Sequence, residues 1–233
     1  TFVVPTLNLS GGLRVVSIYA DLLAKKGHQV TVVTPNKKTP NLKEKIKVVY
    51  TGGLIEDRSP EYFFQAILEL YKKNPEIIAD YEFIFAGALD RKNKVLFEQH
   101  IPSVKHVGLL SFNDALALQE EADLLLVIDT PFKNSSDAIF FPSKLLDYML
   151  MQRRIIALTN KNSTTWNVVD KNLGDCFIHN DINNITLSLV ECWSAWKNKN
   201  KNYFINKKIE PIYAANINAE RLASLLHEVA NEK

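Results

Sequence analysis

The sequence has little cysteine, and this scarcity limits the kinds of site and fold it can build. Cys176 and Cys192 are the only cysteines among 233 residues. They form neither a Cys-x-x-Cys pair nor a Cys/His cluster at zinc spacing. Both lie in apolar periodic stretches, so we expect two buried free thiols in a protein from a reducing compartment.

An excess of charge and a long apolar run are also missing. Lys and Arg number 28 against 26 Asp and Glu, a formal net charge of +2 that does not predict nucleic-acid binding. No apolar run reaches the roughly 18 to 20 residues of a membrane span, and no signal-peptide pattern is present. We therefore expect a cytoplasmic protein. The basic aromatic stretch at 194–208 is expected to be a solvated loop, with peripheral contact to a membrane surface as the alternative.

From Ile46 onward, short apolar runs alternate regularly with amphipathic stretches. This alternation predicts an α/β fold, a doubly wound Rossmann-like parallel sheet with helices on both faces. Strands are expected at 46–51, 81–88, 104–110, 123–129, 154–159 and 175–179. Helices are expected at 60–80, 92–99, 112–121, 142–151, 164–171 and 181–197.

The pattern also predicts a division into domains. Residues 1–36 form a β-α-β pattern that cannot bury its own sheet faces, so we interpret them as the remnant of a second Rossmann-like domain. A polar junction at 37–45 leads to the main domain at 46–199, and 200–233 form a tail with a packed helix. The chain opens inside an apparent strand without an initiator Met, and we expect residues upstream of it.

Three predicted loops follow strands at their carboxyl ends, where open α/β sheets bind ligands. The first, Asn8–Gly12, places Gly11 and Gly12 at a strand-to-helix turn. Glycines there let backbone N–H groups approach a phosphate closely. A tight turn without a ligand is the alternative.

The second loop, Thr51–Arg58, also begins with paired glycines, Gly52 and Gly53. Arg58 ends the loop just before a helix that Ser59 and Pro60 are expected to open. A guanidinium matches phosphate oxygens well, so Arg58 is placed to pair with a diphosphate. A surface arginine on a capped helix is the alternative.

The third loop contains Asp137 and leads into a helix that begins near Pro142. The helix start offers backbone N–H donors, to which Ser143 adds a hydroxyl and Lys144 a charge. Asp147, one turn further, is placed to accept hydrogen bonds from two vicinal sugar hydroxyls. Alternatively, Asp147 caps neighbouring backbone and Lys144 is solvated.

Four segments resemble, in order and spacing, the group 1 glycosyltransferases, which are retaining enzymes of the GT-B fold. Most of the resemblance falls in the C-terminal nucleotide-sugar-binding domain of that family. The segments are GGLRVVSIYADLLAKKGHQVTVVT, YTGGLIEDRSPEYFFQAI, HVGLLSFNDALALQEEADLLLVI and FFPSKLLDYMLMQRRIIAL. The resemblance implies that the final helix returns toward the N-terminal domain.

The resemblance also implies roles for particular residues. The donor diphosphate would be held by Gly11, Gly12, Gly53 and Arg58. Asp147 matches the second acid of the family's paired-acid signature and would bind the ribose. The first acid falls on Ile139, and the nearest carboxylate, Asp137, lies two residues out of register. The loop at 107–110, including Leu109, would face the base. No catalytic residue is identified, because His28, His100, His106 and His179 are expected to be structural or surface residues.

The function implied is transfer of a sugar, with retention, from a nucleotide-diphosphate sugar to a glycan, lipid-linked or protein acceptor. No cofactor or metal is expected, since Asp-x-Asp is absent and Arg, Lys and helix dipoles can neutralise the leaving diphosphate. A non-catalytic nucleotide-binding or partner module is the first alternative, favoured by Ile139. A sugar-nucleotide 2-epimerase is the second, although it would want further carboxylates and histidines in the cleft.

Overall fold

Most strands form where β-branched, aromatic and leucine residues predominate, as parallel strands largely buried on both faces require, with single polar residues such as Lys47 and Glu82 among them. The computed structural model describes residues 44–133, 140–170 and 173–206, together with Lys25 and 222–224. All of them except Lys25 and 222–224 belong to one compact unit, Thr39–Lys207. The predictions for 1–36, for Gly11, Gly12, Asp137 and Ile139, and for most of 200–233 lie outside the described residues.

Six strands build the sheet of this unit, in the order β3-β2-β1-β4-β5-β6. They are β1 (Ile46–Thr51), β2 (Tyr81–Ala86), β3 (Val104–His106), β4 (Leu124–Ile128), β5 (Arg154–Leu158) and β6 (Gly174–Phe177). Every neighbouring pair is parallel. The predicted doubly wound Rossmann-like sheet is therefore confirmed, and its strand order reverses direction between β1 and β4.

The helices connect the strands. They are α1 (Glu61–Lys73), α2 (Pro75–Ala79), α3 (Arg91–Glu98), α4 (Phe112–Glu120), α5 (Ser143–Met151), α6 (Thr164–Val169) and α7 (Ile182–Lys197), followed by a 3₁₀ turn at Lys201–Phe204. Several begin at a side-chain cap: Ser111 accepts from the Asp114 N–H and Asp181 from the Asn184 N–H. Both helix starts agree with the sequence-based prediction.

The prediction of one helix over 60–80 is wrong, because α1 ends at Lys73 and α2 begins at Pro75. A proline has no N–H to continue the helical hydrogen bonds and its ring crowds the preceding turn. Asn74 takes a non-helical conformation between the two helices. The helix start also differs slightly, since Pro60 occupies the N-cap and Ser59 Oγ accepts from the Glu61 N–H at 3.3 Å.

The strands predicted at 81–88 and 104–110 both end early, and a glycine lies beyond the end of each. β2 stops at Ala86, before Gly87 at φ +142°, and β3 stops at His106, before Gly108 at φ +78°. These left-handed conformations turn the chain out of the sheet and are readily adopted by glycine.

The core lies on both sides of the sheet. The side chains of β4 are all buried, and those of β1, β2 and β5 nearly all. Tyr81 in β2 donates a hydrogen bond to the Leu189 carbonyl of α7 at 2.6 Å, which ties the longest described helix to the sheet.

The stretch at 194–208 is only partly the expected solvated loop. Its first residues continue α7, and Phe204 is completely buried. Lys197 pairs with Asp80 at 2.7 Å and lies over the rings of Trp193 and Trp196. The aromatic residues here pack on the fold.

Both cysteines are free thiols, as expected, but only Cys192 is fully buried, while Cys176 is half-buried. Within the described part of the chain, no helix combines the length and the apolar character that crossing a membrane would take.

Candidate functional site

The site is defined by the place where the strand order reverses. β1 and β4 are neighbours and parallel, so the loops after Thr51 and Ile128 leave the same edge of the sheet. Connections from these two strands run to opposite sides, which opens a crevice between them at their carboxyl ends. The predicted loop around Gly53 and Arg58 and the start of α5 both lie at this edge.

A glycine turn forms the floor of the crevice. Gly52 has φ +134°, and its N–H donates to the Ala86 carbonyl at 2.8 Å. A Cβ atom at Gly87 would overlap the carbonyl oxygen of Gly52, so neither backbone could approach the other if Gly87 carried a side chain. The carbonyl of Gly53 accepts a hydrogen bond from Tyr50 Oη at 3.0 Å. The sequence pattern predicts that Gly87 lies inside a strand, but in the structure Gly87 is part of this turn.

Lys144, the second residue of α5, reaches back over this turn. Its Nζ lies 4.0 Å from the centroid of the Tyr50 ring, and a Cβ atom at Gly52 would overlap it. The ammonium group is buried although the residue as a whole is only half-buried, and Nζ has no hydrogen-bond partner in the described structure. Burial, the larger cause, and the positive charge of Arg58 together lower the pKa of Lys144 to about 7, and Asp129 opposes them.

Arg58 is held at the end of the glycine loop by its backbone. Its N–H donates to the Ile55 carbonyl at 3.2 Å, and its carbonyl accepts from Asn93 Nδ2 at 3.3 Å. Asp90, the N-cap of α3, accepts from the Glu56 N–H at 2.7 Å and fixes the middle of the loop. The Arg58 Nε atom is buried without a hydrogen-bond partner among the described residues. Arg58 Nε and Lys144 Nζ are therefore two buried nitrogens of basic side chains that influence each other and lack an acceptor among the described residues.

Helix α5 presents the remaining predicted residues. Its N-cap, Pro142, provides no side-chain hydrogen bond to the first turn. Ser143 is exposed and Asp147 half-buried, one helical turn apart on one face, while Lys144 and Tyr148 share the adjacent face toward β1. Burial raises the pKa of the Asp147 carboxyl group to about 6. A partly desolvated carboxylate of this kind gains from hydroxyl donors that a ligand supplies.

A buried polar network positions α5 on the sheet. Tyr148 Oη accepts from the Thr51 N–H at 3.0 Å and lies 3.3 Å from Thr51 Oγ1, which itself accepts from Gln119 Nε2 at 2.8 Å. The three side chains join α5, β1 and α4. Sequence reasoning missed the network, because nothing in the sequence distinguishes Gln119 from other polar residues on a helix.

Leu109 lies in the loop after β3, and its side chain is 79% exposed. The Gly108 carbonyl accepts from the Gly87 N–H at 2.8 Å, and His106 Nε2 lies 3.0 Å from the Gly87 carbonyl. The loops after β1, β2 and β3 are thus linked to one another at the carboxyl edge. His106 also packs on Phe97, in keeping with a structural role.

A second polar region continues from β4 toward β5 and β6. Asp129 accepts from Thr159 Oγ1 at 2.7 Å, and its carbonyl lies 2.9 Å from His179 Nε2. His179 is buried, and burial lowers its pKa, as befits a neutral packing residue. A cleft of about 520 Å³ opens beside it. The residues lining this cleft are Tyr62, Pro131, Lys133, Thr159, Asn160, Lys161, Asn162, Ile178, His179 and Asn180. Most of these side chains were not singled out from the sequence.

The structure therefore brings Gly53, Arg58, Lys144 and the helix carrying Ser143 and Asp147 to one crevice. Leu109 lies at the same edge of the sheet, two strands away from β1. The ligand roles of these residues stay predictions.

Solved structures share this fold. TarM superposes with a TM-score of 0.57 at 12% identity, over 83% of this chain and 37% of TarM. A point mutant of S. aureus TarM in complex with Fondaparinux, alpha-GlcNAc-glycerol and UDP gives 0.51 at 12%, over 88% and 41%. The Candida albicans trehalose-6-phosphate phosphatase N-terminal domain gives 0.51 at 14%, over 78% and 42%.

These similarities show a GT-B glycosyltransferase-like fold. The chain spans about two fifths of the length of these structures. No protein-family model and no curated protein matches the sequence.

Proposed function

We propose that this chain supplies the donor-binding half of a glycosyltransferase that uses a nucleotide-diphosphate sugar. The observation that carries the proposal is a pair of buried nitrogen atoms on basic side chains, Lys144 Nζ and Arg58 Nε, which lack hydrogen-bond acceptors among the described residues. Buried polar nitrogens without a hydrogen-bond acceptor are costly. A diphosphate in the crevice would give both groups an acceptor and offset that cost.

The surroundings suit a nucleotide diphosphate in particular. The Gly52–Gly53 turn lies beside Lys144, and the first turn of α5 has no side-chain cap, so it offers N–H donors and a helix dipole to an anion. Asp147 lies one turn deeper on α5, where its carboxylate would accept from the two ribose hydroxyls. Leu109 and the exposed backbone near Gly108 would contact the base.

The transfer step draws on the same two cations. Arg58 and Lys144 would neutralise the charge that develops on the leaving diphosphate, and this contribution needs no metal ion. A β-phosphate oxygen of the donor would take the proton from the acceptor hydroxyl on the face where the donor bond breaks, which retains configuration. The acceptor would be a glycan, a lipid-linked sugar or a protein.

Titration calorimetry with UDP, GDP and ADP tests the proposal. One nucleotide should bind in the micromolar range, equivalent to about 7 to 8 kcal/mol. Replacing Arg58 by Ala removes a charge-assisted hydrogen bond worth about 1.5 to 3 kcal/mol, so affinity should fall roughly ten- to a hundredfold.

Lys92→Ala is the matched control, because Lys92 is an exposed cation on α3 whose only described ion pair, to Asp57, is long at 3.9 Å. It should leave affinity unchanged. A folded protein that binds none of the three nucleotides would refute donor binding. Sugar release from the corresponding sugar nucleotide by the full-length gene product then tests transfer.

A further inference from the structure

The surroundings of the Lys144 side chain disfavour its charged ammonium form. Its Nζ is buried, it has no hydrogen-bond acceptor among the described residues, and the charge that influences it most is the guanidinium of Arg58. The contact with the Tyr50 ring is a partial compensation, since the ring face attracts a cation. The backbone of Gly52 closes the other side.

An arriving diphosphate would reverse this balance. Two phosphate groups bring negative charge and several acceptor oxygens to a nitrogen that has neither. The uncharged amine is favoured in the empty crevice and the ammonium in the filled one.

We propose that Lys144 couples ligand binding to proton uptake: it is largely uncharged in the empty site above neutral pH and takes one proton from solvent when a diphosphate binds. Lys144 then favours anionic ligands over neutral ones, because an anion adds to the stabilisation of its charged form. This inference rests on the proposed donor site and adds a property that binding alone does not require.

The other titratable groups around Lys144 are not expected to take up a proton when the ligand binds above neutral pH. Burial raises the pKa of Tyr50 well above its usual range and that of Tyr148 to about 12. His179, which contacts the Asp129 backbone, has a lowered pKa and is neutral above pH 7. The Asp129 carboxylate favours the charged lysine, but it is a weaker influence than burial and Arg58.

Asp147 is the one group that would act in the opposite sense. Its pKa is raised to about 6, so at low pH a ligand that needs the carboxylate would release a proton. At pH 8 Asp147 is ionised with or without ligand, and uptake by Lys144 can be measured alone.

The test is calorimetry of UDP-glucose, GDP-mannose and ADP-glucose in two buffers of different ionisation enthalpy, at pH 6 and pH 8. In a sugar nucleotide neither phosphate carries a proton that titrates in this range, so uptake belongs to the protein. We expect close to one proton taken up per ligand at pH 8 and none, or a small release, at pH 6. Affinity should fall toward tenfold per pH unit above pH 8.

Two variants test which residue takes up or releases the proton when the ligand binds. Lys144→Met should bind weakly, with no proton uptake and little change in affinity between pH 7 and 9. Asp147→Asn should keep the uptake at pH 8 and lose any release at pH 6. Exposed Lys92→Ala should behave as the wild type in both respects.

The outcomes separate the two proposals. Binding without proton uptake at pH 8, or uptake that persists in Lys144→Met, overturns the coupling and leaves the donor site standing. Failure of the folded protein to bind any of the three sugar nucleotides or their diphosphates overturns both.

Discussion

The Nζ atom of Lys144 occupies the space where Gly52 would carry a side chain. A Cβ atom built on Gly52 would overlap it, and Gly52 also has φ +134°, a conformation that L residues rarely adopt. The two residues are far apart in the chain, and they meet because β1 and the connection from β4 to α5 leave the same edge of the sheet. The position of the Lys144 amino group in the crevice therefore depends on the absence of a side chain at Gly52.

Gly52→Ala should consequently weaken both the fold and the ligand site. The strained backbone is expected to cost about 1 to 3 kcal/mol in the free energy of unfolding, measured by urea denaturation. The new methyl group should also displace the Lys144 ammonium and reduce nucleotide affinity by about tenfold or more, the loss expected for one charge-assisted hydrogen bond.

Gly53→Ala is the neighbouring control. The closest contact of a Cβ atom there would be the Ile55 side chain, at 3.3 Å, and Ile55 is exposed and free to move. Gly53 itself belongs to the proposed diphosphate site, so the two variants are compared in their free energy of unfolding. Equal losses of stability would show that the Lys144–Gly52 contact has no special role.

Asp147→Asn is expected to stabilise the unliganded protein while it impairs binding. Burial raises the pKa of this carboxyl from 3.8 to about 6, so the folded state holds the proton more tightly than the unfolded state. Wild-type stability therefore decreases as pH rises from about 4 to about 6, and the variant escapes that loss. Because Asp147 is only half-buried, we expect a gain of no more than about 2 kcal/mol at pH 7.

The gain should disappear near pH 4, where the folded state holds the proton and the unfolded state begins to bind it. Denaturation curves at pH 4 and 7, with nucleotide titrations at pH 7, measure the two effects together. A variant that unfolds at pH 7 would show that Asp147 is a structural residue and not a ligand-binding one.

Tyr148→Phe tests the hydrogen-bond network of Tyr148, Thr51 and Gln119 that positions α5 on the sheet. The variant leaves the buried Thr51 N–H without its acceptor and removes the partner of Thr51 Oγ1, which should cost about 1 to 3 kcal/mol. Because α5 carries Lys144 and Asp147, nucleotide affinity should fall as well.

Tyr71→Phe is the matched control for that variant, since Tyr71 is 43% exposed on α1. It should change the free energy of unfolding by less than about 0.5 kcal/mol. Equal stability of the two variants would contradict a structural role for the Tyr148 hydroxyl group.

Nucleotide binding should not require a divalent cation. Arg58 and Lys144 together can neutralise the charge of the diphosphate, the second of them once protonated. Dissociation constants measured in excess EDTA and in Mn²⁺ should agree within about twofold. Complete loss of binding in EDTA, restored by Mn²⁺, would show that the crevice uses a metal and that our charge assignment is incomplete.

The sequence alone was sufficient for the main domain's fold class and for the approximate position of every strand from Ile46 to Phe177. The reason is that a parallel sheet buried on both faces demands continuous apolar runs, which are visible in one dimension. Local chemistry likewise located the starts of α4 and α7, because Ser111 and Asp181 cap the backbone only a few residues away. Pro75 could have revealed the break between α1 and α2 in the same way.

Tertiary structure alone decided how the site is assembled. The sequence placed the loops of Gly53, Arg58, Lys144 and Asp147 at the carboxyl ends of strands. Which of these strands are neighbours depends on long-range pairing, which only the strand order shows. The burial of Lys144 Nζ, its contact with Gly52 and the acceptor role of Tyr148 Oη join residues that lie far apart along the chain. No local pattern records such contacts, because desolvation and charge–charge influence depend on distance in space and not on separation along the chain.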